Sequence, residues 1–225
     1  MQLPITKTLL LAVDVQNDFC PAYKQYPAGA LAVAEGGEVA APLNALAAAL
    51  AAGGGWAAAT QDWHPAGHVS FASSHPGKKP GDLIELPGMP AQVLWPDHCV
   101  QGSHGAAFHD DFDEKPFHLI IRKGYRAGLD SYSAFFENDQ KTSTGLEGWI
   151  KSLGIETVII GGLATDYCVL YSAMDCRRLG LQTIIASDAV RGVGFPQGSV
   201  EKALATMRAA GIAFADSRQL LQELY

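Results

Sequence analysis

The sequence predicts an α/β fold with a doubly wound, mostly parallel sheet of six strands and helices on both faces. Two observations support this prediction. Short apolar runs, each followed by polar residues, alternate along the chain with segments of helical periodicity. Several of these runs are continuously apolar, which is typical of parallel strands buried on both faces. Strands that alternate with helices in this way form parallel sheets covered by helices on both sides.

The predicted elements follow one another without interruption except in the middle of the chain. The six strands are predicted at residues 9–13, 56–60, 117–121, 158–160, 182–186 and 212–215. Apolar residues at helical spacing from Val39 to Leu50 predict the first helix, which a triple glycine ends. Later helices are predicted at residues 146–153, from residue 165 to about 180, at 199–210 and from residue 216 onward. Residues 130–136 are predicted to form a short helix or a turn.

The chain is predicted to form one domain, residues 1–225. Its 225 residues suit a single large α/β domain, and no linker of biased composition divides them. Residues 70–115 have no lasting periodicity and are rich in glycine, proline and histidine. Long irregular segments in compact domains are usually functional. We therefore expect a lid-like insertion around residues 65–115, and no specific role follows for its part from 70 to 89.

Composition excludes several classes of function. The net charge is −7 without any basic run, so neither nucleic acid nor an anionic membrane is an expected partner. No stretch has the roughly 20 apolar residues of a membrane span, and residues 1–7 lack the long apolar run with a cationic flank that is typical of a secretory signal. We expect a cytoplasmic protein whose four cysteines are reduced. The absence of a GxGxxG motif argues against a nucleotide-binding Rossmann enzyme.

Three residues with complementary chemistry follow predicted strands: Asp14, Lys123 and Cys168. Each alone is more often structural than catalytic, as a cap, a surface lysine or a packing cysteine. A doubly wound sheet would bring their strand ends to one edge. Together they supply a carboxylate that moves protons, an ammonium that holds negative charge and a thiol nucleophile. Cys168 also follows a glycine turn at a predicted helix start, where backbone N–H groups favour a thiolate.

A second cluster has the composition of a metal site. Asp62 and His64 are alternate residues at a strand end, His98 lies further along the insertion, and His68 lies between them. A carboxylate and two histidines with open positions are typical of catalytic divalent-metal sites. A single histidine is usually a satisfied core or surface group, so the residues alone leave the metal and structural interpretations about equally supported.

Six separated motifs resemble, in order and spacing, those of the nicotinamidases (also called pyrazinamidases), which are isochorismatase-like cysteine hydrolases. The six motifs are 14–19 (DVQNDF), 62–65 (DWHP), 95–99 (WPDHC), 123–124 (KG), 130–135 (DSYSAF) and 162–169 (GLATDYCV). The resemblance covers the chain from the first strand to the helix after the fourth. It implies an isochorismatase-like, Rossmann-like three-layer fold and hydrolysis of nicotinamide to nicotinate and ammonia, in NAD salvage. Pyrazinamide is an expected further substrate.

The resemblance also implies individual roles. Cys168 would be the nucleophile, Asp14 the general acid and base, and Lys123 the group that stabilises the thiolate. Asp62, His64 and His98 would bind one divalent metal, with zinc expected first and iron or manganese as alternatives; whether His68 also binds it stays open. A cis peptide between Leu163 and Ala164 would turn the N–H groups of Ala164 and Cys168 into an oxyanion hole. The expected substrate-binding residues are Phe19, Trp95, Tyr132, Leu163 and Tyr167.

Other interpretations remain at this point. The same superfamily includes hydrolases of isochorismate and of carbamoyl amides, which resemble this chain in the Asp, Lys and Cys residues but, as the family is known, lack the metal motif. A non-catalytic metal-binding module is the alternative outside enzymes, with Cys168 as a packing residue. The sequence leaves the oligomeric state, including a homo-oligomer, undecided.

Overall fold

A six-stranded parallel sheet forms the centre of the protein in a computed structural model that describes residues 2–225. The strand order is β5-β2-β1-β6-β7-β8, and all five pairings in this sheet are parallel. The strands are β1 (Thr8–Val13), β2 (Trp56–Asp62), β5 (Leu119–Lys123), β6 (Thr157–Leu163), β7 (Gln182–Arg191) and β8 (Ala213–Ala215). The predicted doubly wound sheet is therefore confirmed.

Five helices cover the sheet: α1 (Ala40–Ala52), α2 (Leu146–Leu153), α3 (Leu170–Arg178), α4 (Ser199–Ala209) and α5 (Ser217–Glu223). One core cluster contains apolar residues of α1 and α5, and the other contains those of α2, α3 and α4. Strand β1 contributes Leu10 and Ala12 to the first cluster and Leu9, Leu11 and Val13 to the second. This alternation explains why its sequence is continuously apolar, because both faces of the strand are buried.

The carboxyl ends of the central strands meet at one edge of the sheet, where the chain departs from regular structure. Beyond Val13, Asp14 has a φ of +48°, which turns the chain out of strand β1. Opposite Val13, Gly162 has a φ of +118° and lies so close to the Val13 backbone that a Cβ atom would overlap it. Only glycine fits there, and it allows β1 and β6 to stay paired up to the edge.

The central segment contains more structure than its sequence indicated. A two-stranded antiparallel hairpin, β3 (Leu83–Ile84) and β4 (Gln92–Val93), lies between residues predicted to be irregular. Such short strands leave no detectable period in a sequence. Between residues 130 and 136 the chain turns without forming a helix, which decides between the two structures predicted there.

Two further expectations concern the chain as a whole. All four cysteines are buried and unpaired, in agreement with reduced thiols. Among residues 2–225, every helix is too short or too polar to cross a bilayer.

Candidate active site

The three predicted catalytic residues form a buried cluster, here called the catalytic cluster: Asp14, Lys123 and Cys168. The Lys123 ammonium lies 2.8 Å from Asp14 Oδ2 and 3.4 Å from Cys168 Sγ. Lys123 and Asp14 are fully buried, and Cys168 is 6% exposed. The lysine also donates to the backbone carbonyl of Ser131. The sheet edge therefore brings together a carboxylate, an ammonium and a thiol from β1, β5 and the turn after β6, as the sequence predicted.

The position of Asp14 is fixed by its neighbour on β2. Thr60 donates its hydroxyl to Asp14 Oδ1 at 2.5 Å and accepts the Asp14 backbone N–H at 3.1 Å. Asp14 Oδ2 forms the ion pair with Lys123 and, among residues 2–225, accepts no hydrogen bond of regular geometry. One carboxylate oxygen of Asp14 lies within 4.8 Å of the Cys168 sulfur. Asp14 is therefore placed to exchange a proton with Cys168.

Cys168 lies on a π-helical turn, Thr165–Val169, that leads from β6 into α3. The peptide bond between Leu163 and Ala164 is cis, as the family resemblance predicted. The Ala164 carbonyl accepts the backbone N–H groups of Tyr167 and Val169, which closes the turn around the cysteine. The backbone N–H groups of Ala164 and Cys168 accordingly belong to one short, closed turn at the edge of the pocket.

Burial and charge act in opposite directions on the ionisation of this cluster. Burial raises the pKa of Cys168 well above its ordinary value, although Lys123 opposes that effect. Burial likewise raises the pKa of Asp14 against the lowering effect of Lys123. For Lys123, burial alone would lower the pKa, but Asp14 and Asp62 raise it well above its ordinary value. Lys123 therefore acts to lower the pKa of the Cys168 thiol, as expected of a group that stabilises the thiolate, while burial of the sulfur acts in the opposite direction.

The metal-ligand cluster comprises Asp62, His64 and His98, whose ligand atoms lie within 4.8 Å of one another. Nδ1 of His64 is 2.9 Å from the Gly124 carbonyl, and Nδ1 of His98 is 2.7 Å from the Pro96 carbonyl. A carbonyl only accepts, so each ring donates from Nδ1, and in the neutral imidazole the lone pair then lies on Nε2.

The Nε2 atoms of the two histidines converge on one carboxylate oxygen of Asp62. Nε2 of His64 lies 3.6 Å and Nε2 of His98 lies 3.9 Å from Asp62 Oδ2. Backbone carbonyls that orient histidines from behind are the usual support of metal-binding imidazoles. The donor set of two imidazoles and one carboxylate suits zinc, iron or manganese. The side chains present therefore fit a divalent metal ion.

Electrostatics favour the metal-binding forms of two ligands. Burial lowers the pKa of His98 to about 4, which keeps its ring neutral. Burial opposes the charge of Asp62, but Lys123 and His64 outweigh it and hold its pKa below the usual range. For His64, burial alone would lower the pKa, whereas the Asp62 carboxylate raises it. A bound divalent cation would balance the charge of the Asp62 carboxylate in place of a proton on His64.

His68, whose role the sequence left open, is engaged elsewhere. Its Nδ1 lies 2.7 Å from the Ser70 hydroxyl, and its Nε2 lies 3.3 Å from the Leu129 carbonyl. A second group of ligand atoms, from His64, His68 and Asp130, also lies within 4.8 Å. Because both nitrogens of His68 have partners, the geometry favours Asp62, His64 and His98 as the ligand set.

A pocket lies between the two clusters and contacts both. Its lining residues are Phe19, Leu31, Asp62, Trp95, His98, Asp130, Tyr132, Ala164, Tyr167, Cys168 and Val193. The Trp95 indole donates to the Tyr132 hydroxyl at 3.1 Å and packs edge-on against Tyr167, with ring centroids 4.8 Å apart. The predicted aromatic residues thus form one wall of a narrow slot suited to a flat ring.

The side chain of one predicted substrate contact, Leu163, does not line this pocket. The Leu163 side chain is fully buried and belongs to the core cluster on the α1 side of the sheet. Side chains of a strand alternate between its faces, and at the end of β6 this alternation directs Leu163 away from the pocket. Leu163 contributes its peptide bond to the site and not its side chain.

Several residues at the site were not identified from sequence. Asp130 and Gln16 lie within quoted motifs, and Thr60 follows an alanine run that predicts only a strand. Leu31 and Val193 line the pocket from loops whose sequences carry no signal of a site. Their contribution depends on contacts between distant parts of the chain.

Comparison with known proteins agrees with this geometry. Residues 8–219 match the model of the isochorismatase domain family. The chain is 45% identical to the nicotinamidase of Acinetobacter baylyi, with 94% of each chain covered. The structure of the Acinetobacter baumanii nicotinamidase pyrazinamidase superposes with a TM-score of 0.88 at 44% identity, covering 96% of this chain and 98% of the other.

A third relative was solved with a metal. The pyrazinamidase of Pyrococcus horikoshii, in complex with zinc, matches with a TM-score of 0.73 at 30% identity, covering 93% of this chain and 99% of that one. The resemblance inferred from the six motifs is confirmed. The three relatives named above are nicotinamidases or pyrazinamidases, and the chain belongs to the isochorismatase family.

Proposed function

We propose that this chain is an amidohydrolase that converts nicotinamide to nicotinate and ammonia through a thioester on Cys168. The observation that supports this most directly is the pocket lined both by Cys168 and by two residues of the metal-ligand cluster, Asp62 and His98. Hydrolases of this kind need a nucleophile at one end of the substrate and a group that holds the ring at the other. The chain is 45% and 42% identical to two nicotinamidases over 94% and 90% of its length, which supports the same substrate.

Asp62, His64 and His98 would hold one divalent metal ion, and we propose zinc because a related pyrazinamidase binds it. When bound, such an ion supplies an open coordination position for a lone-pair donor such as a pyridine nitrogen. The ring would lie in the slot formed by Phe19, Trp95, Tyr132 and Tyr167. This orientation directs the carboxamide towards Cys168.

In the first half of the reaction Asp14 removes the proton from the Cys168 thiol, and the thiolate attacks the amide carbon. Lys123, held protonated by Asp14 and Asp62, balances the negative charge of the thiolate. The backbone N–H groups of Ala164 and Cys168 would donate to the oxyanion of the tetrahedral intermediate. The C–N bond then breaks, and Asp14 returns its proton to the departing ammonia, which leaves a thioester.

In the second half, a water molecule gives a proton to Asp14 and attacks the thioester carbon. The C–S bond breaks, the Cys168 sulfur regains the proton from Asp14, and nicotinate is released. The raised pKa of Asp14 suits it to both the removal and the return of a proton. The same chemistry would accept pyrazinamide, which presents a similar ring and carboxamide.

An assay of ammonia release tests the proposal. Purified enzyme is supplied with nicotinamide, pyrazinamide or a carbamoylated amine, each with and without a chelator. We expect turnover of both ring amides, loss of turnover after chelation and recovery on adding Zn²⁺. Preferred hydrolysis of the carbamoylated amine would instead assign the chain to another branch of the isochorismatase family.

Such an activity would place the protein in NAD salvage. The cytoplasmic location stays a prediction of the sequence, which leaves the oligomeric state undecided.

A further inference from the structure

The side chain of Gln16 contacts the backbone of the proposed metal ligand Asp62 at two points. Its Nε2 donates to the Asp62 carbonyl at 2.8 Å, and its Oε1 accepts the Asp62 backbone N–H at 2.8 Å. A second Nε2 hydrogen reaches the Ala106 carbonyl at 2.9 Å. Gln16 is fully buried, and both donors of its amide are used.

The Gln16 side-chain amide bonds to the Asp62 backbone beyond the point where the backbone pairing of β1 and β2 ends. The β1–β2 pairing ends at Ala12 and Ala59, because Asp14 turns the chain out of the strand. On its other side Asp62 is paired with Lys123 of β5. Without Gln16, the Asp62 backbone would be held on one side only, and its N–H and C=O would be buried without these partners.

Asp62 is the residue at which the two clusters meet, so its position affects both. Its Oδ1 accepts a hydrogen bond from Lys123 at 2.5 Å, while its Oδ2 faces the Nε2 atoms of His64 and His98. Groups that hold metal ligands from behind commonly influence metal affinity as strongly as 10–100-fold. Gln16 holds the backbone of such a ligand at both its N–H and its C=O group. It can therefore affect metal affinity through the position of that ligand.

We propose that Gln16 is a positioning residue that sets the affinity of the metal site by holding Asp62 against the end of strand β2. The inference rests on the proposed function in that Asp62 is taken as a metal ligand. Gln16 itself belongs neither to the metal-ligand cluster nor to the residues that line the pocket. Its influence passes through Asp62.

The neighbouring residue Asn17 provides a matched control. Its amide nitrogen donates to the carbonyls of His104 and Phe108, so it secures the same segment that Gln16 reaches at Ala106. It has no hydrogen bond to Asp62 among residues 2–225. Replacing Asn17 therefore loosens that segment and leaves the Asp62 contacts intact.

The test is a titration of metal-free, full-length protein with Zn²⁺ against a competing chelator, for the wild type and for Gln16→Met and Asn17→Leu. Methionine keeps the length and bulk of glutamine without the amide. The Gln16→Asn variant, whose amide is one methylene too short to reach both Asp62 groups, is titrated alongside so that the comparison does not depend on one variant folding. Thermal unfolding of the metal-free proteins records general damage.

We expect both Gln16 variants to bind Zn²⁺ about 10–100-fold more weakly than the wild type, and Asn17→Leu to bind it as the wild type does. Wild-type affinity in the Gln16 variants, or an equal loss in Asn17→Leu, would overturn the proposal. Nicotinamide hydrolysis by the wild type is measured in parallel. An inactive wild type would overturn the proposed function and leave the comparison of affinities valid.

Discussion

The catalytic cluster and the metal-ligand cluster face the same pocket, yet they are built from different parts of the fold. Asp14, Lys123 and Cys168 all lie at the ends of sheet strands or in the turn directly after one. In the other cluster, Asp62 belongs to strand β2, while His98 comes from the long segment between β2 and β5. The catalytic cluster is therefore fixed by the sheet, whereas the metal-ligand cluster, which is proposed to orient the substrate, depends partly on the segment between β2 and β5.

This difference suggests a division of roles with measurable consequences. A strand end is held by backbone hydrogen bonds on both sides, which suits groups that must stay within a few tenths of an ångström of the reacting atoms. A connecting segment can change in length and sequence without disturbing the sheet. Loss of a catalytic-cluster residue should then affect the chemical step, and loss of a loop ligand should affect metal and substrate binding.

The largest effect is expected from Cys168→Ala. Removing the nucleophile should lower kcat by at least ~10³-fold, since loss of a single oxyanion donor already costs ~10²–10³-fold. The variant should bind Zn²⁺ normally, because the metal-ligand cluster does not include the sulfur. Ammonia release and metal content are the measurements.

Cys176 provides the control for this experiment. It is also fully buried, on α3, and burial raises the pKa of its thiol to about 12. Cys176→Ala should keep kcat near the wild-type value and lose only stability. Residual turnover of Cys168→Ala at the level of Cys176→Ala would disprove the nucleophile assignment.

An intermediate effect is expected from His98→Ala. The variant should bind Zn²⁺ at least ~100-fold more weakly, since changes behind a ligand already cost 10–100-fold. At saturating Zn²⁺ we expect KM to rise more than kcat falls, because the catalytic cluster remains intact. The measurements are a Zn²⁺ titration and steady-state kinetics with nicotinamide.

His75 lies in the same segment and offers a comparison. Its Nε2 lies 2.8 Å from the Val69 carbonyl, away from the metal-ligand cluster. His75→Ala should leave metal affinity unchanged. Full metal occupancy in His98→Ala, or an equal loss in both variants, would contradict the division of roles.

The sequence was sufficient to predict what lies at strand ends. Asp14, Asp62 and Lys123 each follow an apolar run, and parallel strands necessarily place such residues at a common edge. Cys168 was identifiable for the same reason, from the glycine turn before it. The resemblance to the family motifs then indicated the reaction in which these residues act together.

What the sequence could not reveal depends on strand register and on long-range contacts. Gln16 reaches Asp62 only because β1 and β2 pair with Leu9 opposite Trp56, which no local pattern encodes. Leu163 packs in the core cluster on the α1 side, and this placement depends on the register of β6, since a one-residue change would reverse it. The burial of Cys168, which raises the pKa of its thiol, is likewise a property of the complete fold.

The smallest effect concerns the pH dependence of the catalytic cluster. Asp14 must be ionised to take the Cys168 proton, and burial raises its pKa above the ordinary 3.8. At saturating Zn²⁺, kcat/KM should therefore fall as the pH decreases through a pKa higher than that of an exposed aspartate. The hydroxyl of Thr60 donates to Asp14 Oδ1 and so favours the ionised form.

Thr60→Val should remove that support and move the acid limb of kcat/KM to higher pH, with little change on the alkaline side. The threonine lies on the sheet and outside the lining of the pocket, so Zn²⁺ affinity and the plateau rate should change little. The pH profile of the variant is compared with that of the wild type at the same Zn²⁺ concentration. An acid limb that stays in place, or moves to lower pH, would mean that a group other than Asp14 governs it. The first proton transfer would then have to be assigned to a different residue of the site.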